Sequence, residues 1–246
     1  MEWQLGPDLS NGIFIRYKAG MATASELSRI FAHALGLPEV QVATRYRALR
    51  EAGLTAKAAR GRHTPDRSPL EAARLLIAIM GATTAADVEA TTRLIGQLRC
   101  TCFQGPDMRR PIFMGSPLEA VMAFNFIDLQ DTEVDGNKFL GSAADGLSFK
   151  ISQRSLTAVV MGPALTATFD VVDTEPVGLP NPSLSYAATV ERLLAEKARG
   201  GMEIDTRVGW EQLSAIAPAL AGRRHWTEAM EKHISLVTRA VEDKQV

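Results

Sequence analysis

The most regular pattern of apolar and polar positions begins at Leu27. Leu27, Ile30, Phe31, Ala34 and Leu35 follow the i, i+3, i+4, i+7, i+8 spacing of a helix with one buried face. Thr23-x-x-Glu26 stands ahead of it as a capping box, in which each side chain satisfies a backbone N–H of the first turn. Gly36 predicts the helix end and Pro38 suits the first turn of the next helix. That second helix carries Val42, Tyr46 and Leu49 inward and closes at Gly53. A basic, turn-rich run of hairpin length, TAKAARGRHTPDR, occupies 55–67. Ser68-Pro-Leu-Glu71 then opens a helix to about Met80, with Leu70, Ala73, Leu76 and Ile77 inward and Gly81 as its stop. Thr84 is expected to cap a further helix to about Leu98.

The pattern changes after that. CFQGPDMRRPIFMGSP, at 102–117, reads as a linker or irregular connection because of its prolines and glycines. SPLEA at 116–120 echoes 68–72 through shared capping chemistry and starts a helix to about Leu129. Three β-branched and aromatic runs at 147–152, 156–162 and 165–173 predict a small antiparallel sheet. Helix returns at about 184–199, in shorter pieces over 209–221, and as an amphipathic helix over 227–241. The expected class is mainly α with a small antiparallel sheet, α+β. Residues 1–20 have no helical period, GIFIRY at 12–17 suits a short strand, and Met21 reads as an alternative start site with 1–20 as an N-terminal extension.

Composition narrows this picture only modestly. The chain has 246 residues, 46% of them hydrophobic and 22% charged, an ordinary globular balance. No apolar run approaches the roughly 18 residues a membrane span needs, and the N-terminus lacks the basic-then-apolar order of a secretion signal. A cytoplasmic location is expected. Cys100 and Cys102 are too close for a mutual disulfide and too few for a structural zinc site, so they are read as reduced thiols at a helix end.

Charge distribution matters more than the net of −1. Residues 21–67 hold eight Arg/Lys against four acids, whereas 101–187 hold five against ten. A locally basic module beside an acidic one can still attract a polyanion.

That basic module carries a recognisable order: Glu26-Leu27, Leu35-Gly36-Leu37, Val42, Arg45, and Leu49-Arg50-Glu51-Ala52-Gly53-Leu54. Two helices set at an angle by such a turn can lay the second into a DNA major groove. The stretch 25–54 resembles the winged helix-turn-helix of bacterial transcription regulators of the MarR and GntR type. The first helix is about two residues longer than that pattern, and no clear helix precedes Thr23. The resemblance therefore requires completion of a three-helix core from elsewhere, for which the helix at 69–80 is available.

The resemblance implies that Val42, Tyr46 and Leu49 face the core while Gln41, Thr44, Arg45 and Ala48 face outward. Gln41 and Arg45 are then the expected base readers, since glutamine pairs bidentately with adenine and arginine with guanine. Thr44, Arg47 and Arg50 are expected on phosphates. Lys57, Arg60, Arg62 and His63 would form the wing. The competing reading is a solvated arginine face on an ordinary helical hairpin.

Other chemistry finds little purchase. The sequence has no Walker loop, no His-Glu-x-x-His and no Gly-x-Ser-x-Gly, and His33, His63, His225 and His233 are scattered. Asp131-Thr-Glu133-Val-Asp135-Gly136 imitates the start of a calcium loop, but Ser142 stands where a bidentate Glu is needed and Lys138 fills the apolar slot. It reads as a solvated acidic turn, and Arg223-Arg224-His225-Trp226 as a surface patch at a helix start.

The sequence thus predicts a non-enzymatic, sequence-specific binder of double-stranded DNA, a bacterial or prophage transcriptional regulator. No cofactor, metal or membrane partner is expected. Its organisation would be an extension at 1–20, a winged helix-turn-helix-like helical domain at 21–100 and an α+β dimerisation or partner domain at 101–246. A homodimer is expected because one short helix offers few base contacts, and the 227–241 helix is the candidate dimer surface. The alternative is a phage- or plasmid-type assembly or accessory protein that uses the same helices for protein contacts.

Overall fold

The computed structural model describes residues 23–55, 68–105, 113–131, 146–162, 165–171, 190–195, 199, 205–217 and 220. The extension at 1–20, the basic run at 57–67, the imitation calcium loop beyond Asp131, the 223–226 patch and the 227–241 helix lie outside the described residues.

The first helix, α1 (Ala24–Leu35), starts on a complete capping box: Glu26 N donates to Thr23 Oγ1 at 3.2 Å, and Thr23 N to Glu26 Oε2 at 2.7 Å. Its apolar stripe buries Leu27, Ile30 and Phe31. Gly36 ends it at φ 64°, the left-handed conformation that lets Leu37 N reach back to Ala32 O at 2.9 Å. Pro38 leads into α2 (Glu39–Glu51), which buries Val42, Tyr46 and Leu49. Gly53, at φ 69°, turns the chain so that Leu54 N bonds to Leu49 O at 2.9 Å.

The next helix, α3 (Pro69–Gly81), departs from the one-faced expectation. Ala72, Ala73, Leu75, Leu76, Ile77, Ala78 and Met80 are all buried, whereas Leu70 is only half-buried. LLIAIM is apolar all round, which suits a helix enclosed by neighbours rather than one lying on a surface. α3 packs against α2 on one side and against α4 (Val88–Gly96) and α5 (Leu118–Asp131) on others. The capping expected at Thr84 takes a different form. Thr83 and Thr84 both donate their hydroxyls to Asp87 Oδ2 at 2.8 Å, and a 3-10 turn at Ala85–Asp87 precedes α4.

α4 ends at Gly96, two residues short of the expected end near Leu98, and a strand begins at Arg99. β1 (Arg99–Gln104) occupies part of what the sequence presents as helix end and irregular connection, so both cysteines sit on a strand. With β2 (Ser148–Ser152), β3 (Thr157–Gly162), β4 (Leu165–Asp170) and β5 (Asp205–Val208) it forms a five-stranded antiparallel sheet, in the order β1-β4-β3-β2-β5. The three predicted strands are its central meander; the two unforeseen ones are its edges. The registers align two rows of residues across every strand. One runs Phe103, Ala167, Val160, Phe149, Val208, and the other Cys100, Phe169, Ala158, Ile151, Thr206. Apolar members of these rows join the helices in one cluster extending from Leu27 to Leu220. α6 (Trp210–Ile216) closes it against α1, and residues 190–195 are also helical. The architecture is α+β, and among the described residues no helix is long and apolar enough to cross a membrane.

Candidate nucleic-acid interface

Helix α2 is held by arginines on neighbouring helices and itself holds one of those helices. Just past its C-terminal end, Arg93 Nη2 from α4 donates to the C-cap carbonyl Ala52 O at 3.1 Å and Arg74 Nη1 from α3 to Leu54 O, in the turn that follows, at 2.8 Å. In return, Arg45 Nη2 from α2 donates to Ala82 O, just past the end of α3, at 3.1 Å. The incoming pair is itself anchored. Arg74 makes a two-point ion pair with Glu119 of α5, and Arg93 is held by Glu89 one turn earlier at 3.2 Å. Gln97 Nε2 adds a third donor to Glu119 at 3.0 Å.

This frame decides where the expected contact residues stand. Gln41, Thr44, Arg47 and Arg50 are exposed. The side chains of Gln41, Arg47 and Arg50 have no hydrogen bond or ion pair among the described residues. Thr44 differs, because its hydroxyl donates to Val40 O one turn back at 2.7 Å and its proton is thereby used. Arg45 does not stand with the outward set. Its guanidinium is half-buried, with Nε enclosed and without a partner among the described residues, and desolvation lowers its pKa from the usual arginine value. It remains a cation, as arginine does in proteins, and serves as a cap on α3. Ala48 is likewise half-buried. Lys57, Arg60, Arg62 and His63 fall outside the described residues.

One exposed position escaped the sequence reading. Val40, in the first turn of α2, is 78% exposed beside Gln41 and Ala43. Its helical spacing places it off the Val42–Tyr46–Leu49 stripe, which is the signal that could have singled it out. An exposed valine at this end of a helix offers an apolar surface of the kind that meets a thymine methyl group.

The exposed charges of α2 nearly cancel, with Arg47 and Arg50 set against Glu39 and Glu51. The surface can therefore supply hydrogen-bonding and apolar contacts, while the sequence at 57–67 holds Lys57, Arg60, Arg62 and Arg67 against Asp66 alone. Among the described residues no group of three His, Cys, Asp or Glu side chains could hold a metal ion. No protein-family model matches the chain, and neither does any curated protein or solved structure.

Proposed function

We propose that this protein is a sequence-specific DNA-binding protein, a transcriptional regulator in which α2 enters the major groove. The observation that carries this reading is the pairing of fixation and freedom in one helix. Arginines from α3 and α4 secure the cap and turn that end it, at Ala52 O and Leu54 O, while the side chains of Gln41, Arg47 and Arg50 project without partners among the described residues. A base-reading helix needs this combination, because its side chains discriminate only if the backbone presenting them is fixed. Gln41, Arg47 and Val40 form the reading set; Arg50 and the basic residues Lys57, Arg60 and Arg62, with His63, take phosphates. Arg45 acts as a positioning residue. A homodimer reading two half-sites would supply the specificity that one helix lacks.

Selection from a random duplex library, followed by a salt series on the selected site, tests the proposal. The selected site should bind by orders of magnitude more tightly than random duplex, and affinity should fall steeply with salt. Arg62→Ala should weaken all sequences alike and reduce the salt slope by about 1. Enrichment of no motif, together with a flat salt response, would remove the proposal. The exposure of Val40 and the near-neutral face of α2 favour a second reading, a protein-contacting assembly or accessory factor. That reading requires salt-insensitive association with a protein partner that Val40→Asp abolishes.

A further inference from the structure

The exposed face of α2 is not uniformly polar. Val40, which is 78% exposed, stands with Ala43 and Thr44 at i, i+3 and i+4, the spacing that stacks side chains on one side of a helix. Ala43 and Thr44 are exposed as well, and Arg47, seven residues beyond Val40, continues the same row. Thr44 contributes carbon to this row. Its hydroxyl turns back onto the helix and donates to Val40 O at 2.7 Å, so the group left to meet an outside surface is its methyl. The first half of α2 thus presents a row of methyl groups, with Gln41 beside it and Arg47 beyond it.

Helix formation does not account for these residue types. A β-branched side chain loses rotamer freedom in a helix, and at position 40 valine recovers little of that by burial. Among the described residues one other large hydrophobic side chain is exposed, Leu194 at 41%. The methyl row therefore suits a surface that offers apolar groups among polar ones. The edges of the base pairs in a DNA major groove are such a surface, and the apolar group they display is the C5-methyl of thymine.

We propose that α2 identifies its site through thymine methyl groups: Val40 and Thr44 each meet the C5-methyl of a thymine, on neighbouring base pairs, within a half-site core of A·T pairs. The proposal rests on α2 being the major-groove helix and adds what that helix reads. Four residues rise about 6 Å, less than two base-pair steps of about 3.4 Å, so a helix lying along the groove brings Val40 and Thr44 to neighbouring pairs. Gln41 carries the amide that pairs with N6 and N7 of adenine, the base opposite thymine, so both strands of the core are read. Arg47 lies about 10 Å from Val40 along the helix axis and takes a guanine at the end of the core.

Deoxyuridine keeps every hydrogen-bonding group of thymidine and lacks only the methyl. Duplexes of the selected site, with single thymines replaced by deoxyuridine, therefore test the proposal on the full chain. At two neighbouring positions the replacement should raise Kd by roughly fourfold each, and at both together by roughly fifteenfold, with the salt slope unchanged. Val40→Ala should remove most of the deoxyuridine effect at one of these positions. Thr44→Ser, which keeps the hydroxyl for its bond to Val40 O, should remove it at the other. Both residues are exposed and Val40→Ala favours the helix, so both variants should fold. Equal Kd values for thymidine and deoxyuridine at every position overturn the methyl reading and leave specific DNA binding standing. Deoxyuridine effects that persist undiminished in both variants overturn the assignment to Val40 and Thr44. A chain that selects no site overturns α2 as the DNA helix, and this inference with it.

Discussion

Arg74 donates to Leu54 O at 2.8 Å through Nη1 while its Nε and Nη2 grip both carboxylate oxygens of Glu119, at 2.8 and 3.2 Å. One side chain thus joins the end of α2 to α3 and α5. Its planar fork is essential to that geometry, because three donors must point in fixed directions at once. Arg74→Met should destabilise the protein by about 2–3 kcal/mol, since it takes two donors from Glu119, leaving it Gln97 Nε2, and removes the donor to Leu54 O in a partly enclosed setting. Arg74→Lys should recover less than half of the loss. Urea unfolding of the three proteins measures both values; full recovery by lysine would contradict the fork argument.

Arg45 and Arg47 are two residues apart yet should respond differently to the same substitution. Arg45→Ala removes the bond to Ala82 O and should cost about 1–2 kcal/mol of stability. Arg47→Ala should leave stability within about 0.5 kcal/mol, because the side chain is exposed and has no partner among the described residues. On DNA the ranking changes character: Arg47→Ala should lose discrimination at one base position, whereas Arg45→Ala should weaken binding through a misplaced helix. Thermal unfolding paired with binding to single-base variants of the selected site separates the two. Matching stability losses would mean that Arg45 is not a cap.

Acid should weaken the protein partly through Asp87. Burial is the largest influence on this carboxyl and opposes its charge. The hydroxyls of Thr84 and Thr83, the Arg192 charge and the Thr84 backbone N–H together outweigh it, so the folded-state pKa lies below the ordinary aspartate value. A depressed folded pKa means that the contribution is complete above the unfolded pKa of about 4 and is lost as pH falls through the folded value. Asp87→Asn should be less stable than wild type at neutral pH and should lack this part of the acid decline. Urea midpoints followed from about pH 7 to about pH 2.5 show whether the two curves converge in acid, as linkage requires.

The two thiols should behave as different chemical species. Cys100 is buried and its pKa is pushed up to about 11 by desolvation, whereas Cys102 is exposed on the same strand. A chromogenic disulfide reagent at about pH 8 should titrate Cys102 promptly and reach Cys100 only when the protein is unfolded. Cys102→Ser should abolish the fast phase. Two equally fast thiols would place β1 elsewhere than against the core.

What could be read in advance, and what could not, follows from how each element signals itself. α1 was legible because its cap, stripe and glycine stop agree over consecutive residues. The central strands were legible because their inward residues alternate in an ordinary way, as Leu165, Ala167 and Phe169 do. β5 offered four residues, DTRV, of which only Val208 is buried, too little for any periodic signal. The outward face of α2 was largely evident from the spacing of Val42, Tyr46 and Leu49. The inward reach of Arg45 is not legible, because sequence shows that an arginine leaves the apolar stripe, but not that a carbonyl 37 residues later stands within its reach.

The remaining strand, β1, hid for another reason. Its pairing passes from Cys100↔Phe169 directly to Cys102↔Thr168 and Phe103↔Ala167, leaving Thr101 opposite no residue of β4. The inward residues Cys100 and Phe103 are consequently three apart, and no alternation survives in the sequence. Deleting a residue from a regular strand turns every side chain beyond it to the opposite face. Losing Thr101 would do the reverse, bringing Cys100 and Phe103 to a spacing of two with their partners on β4 unchanged. The edge of this sheet thus carries one residue more than β4 pairs with, and the bulge at that residue is what keeps both of its inward side chains on the core side.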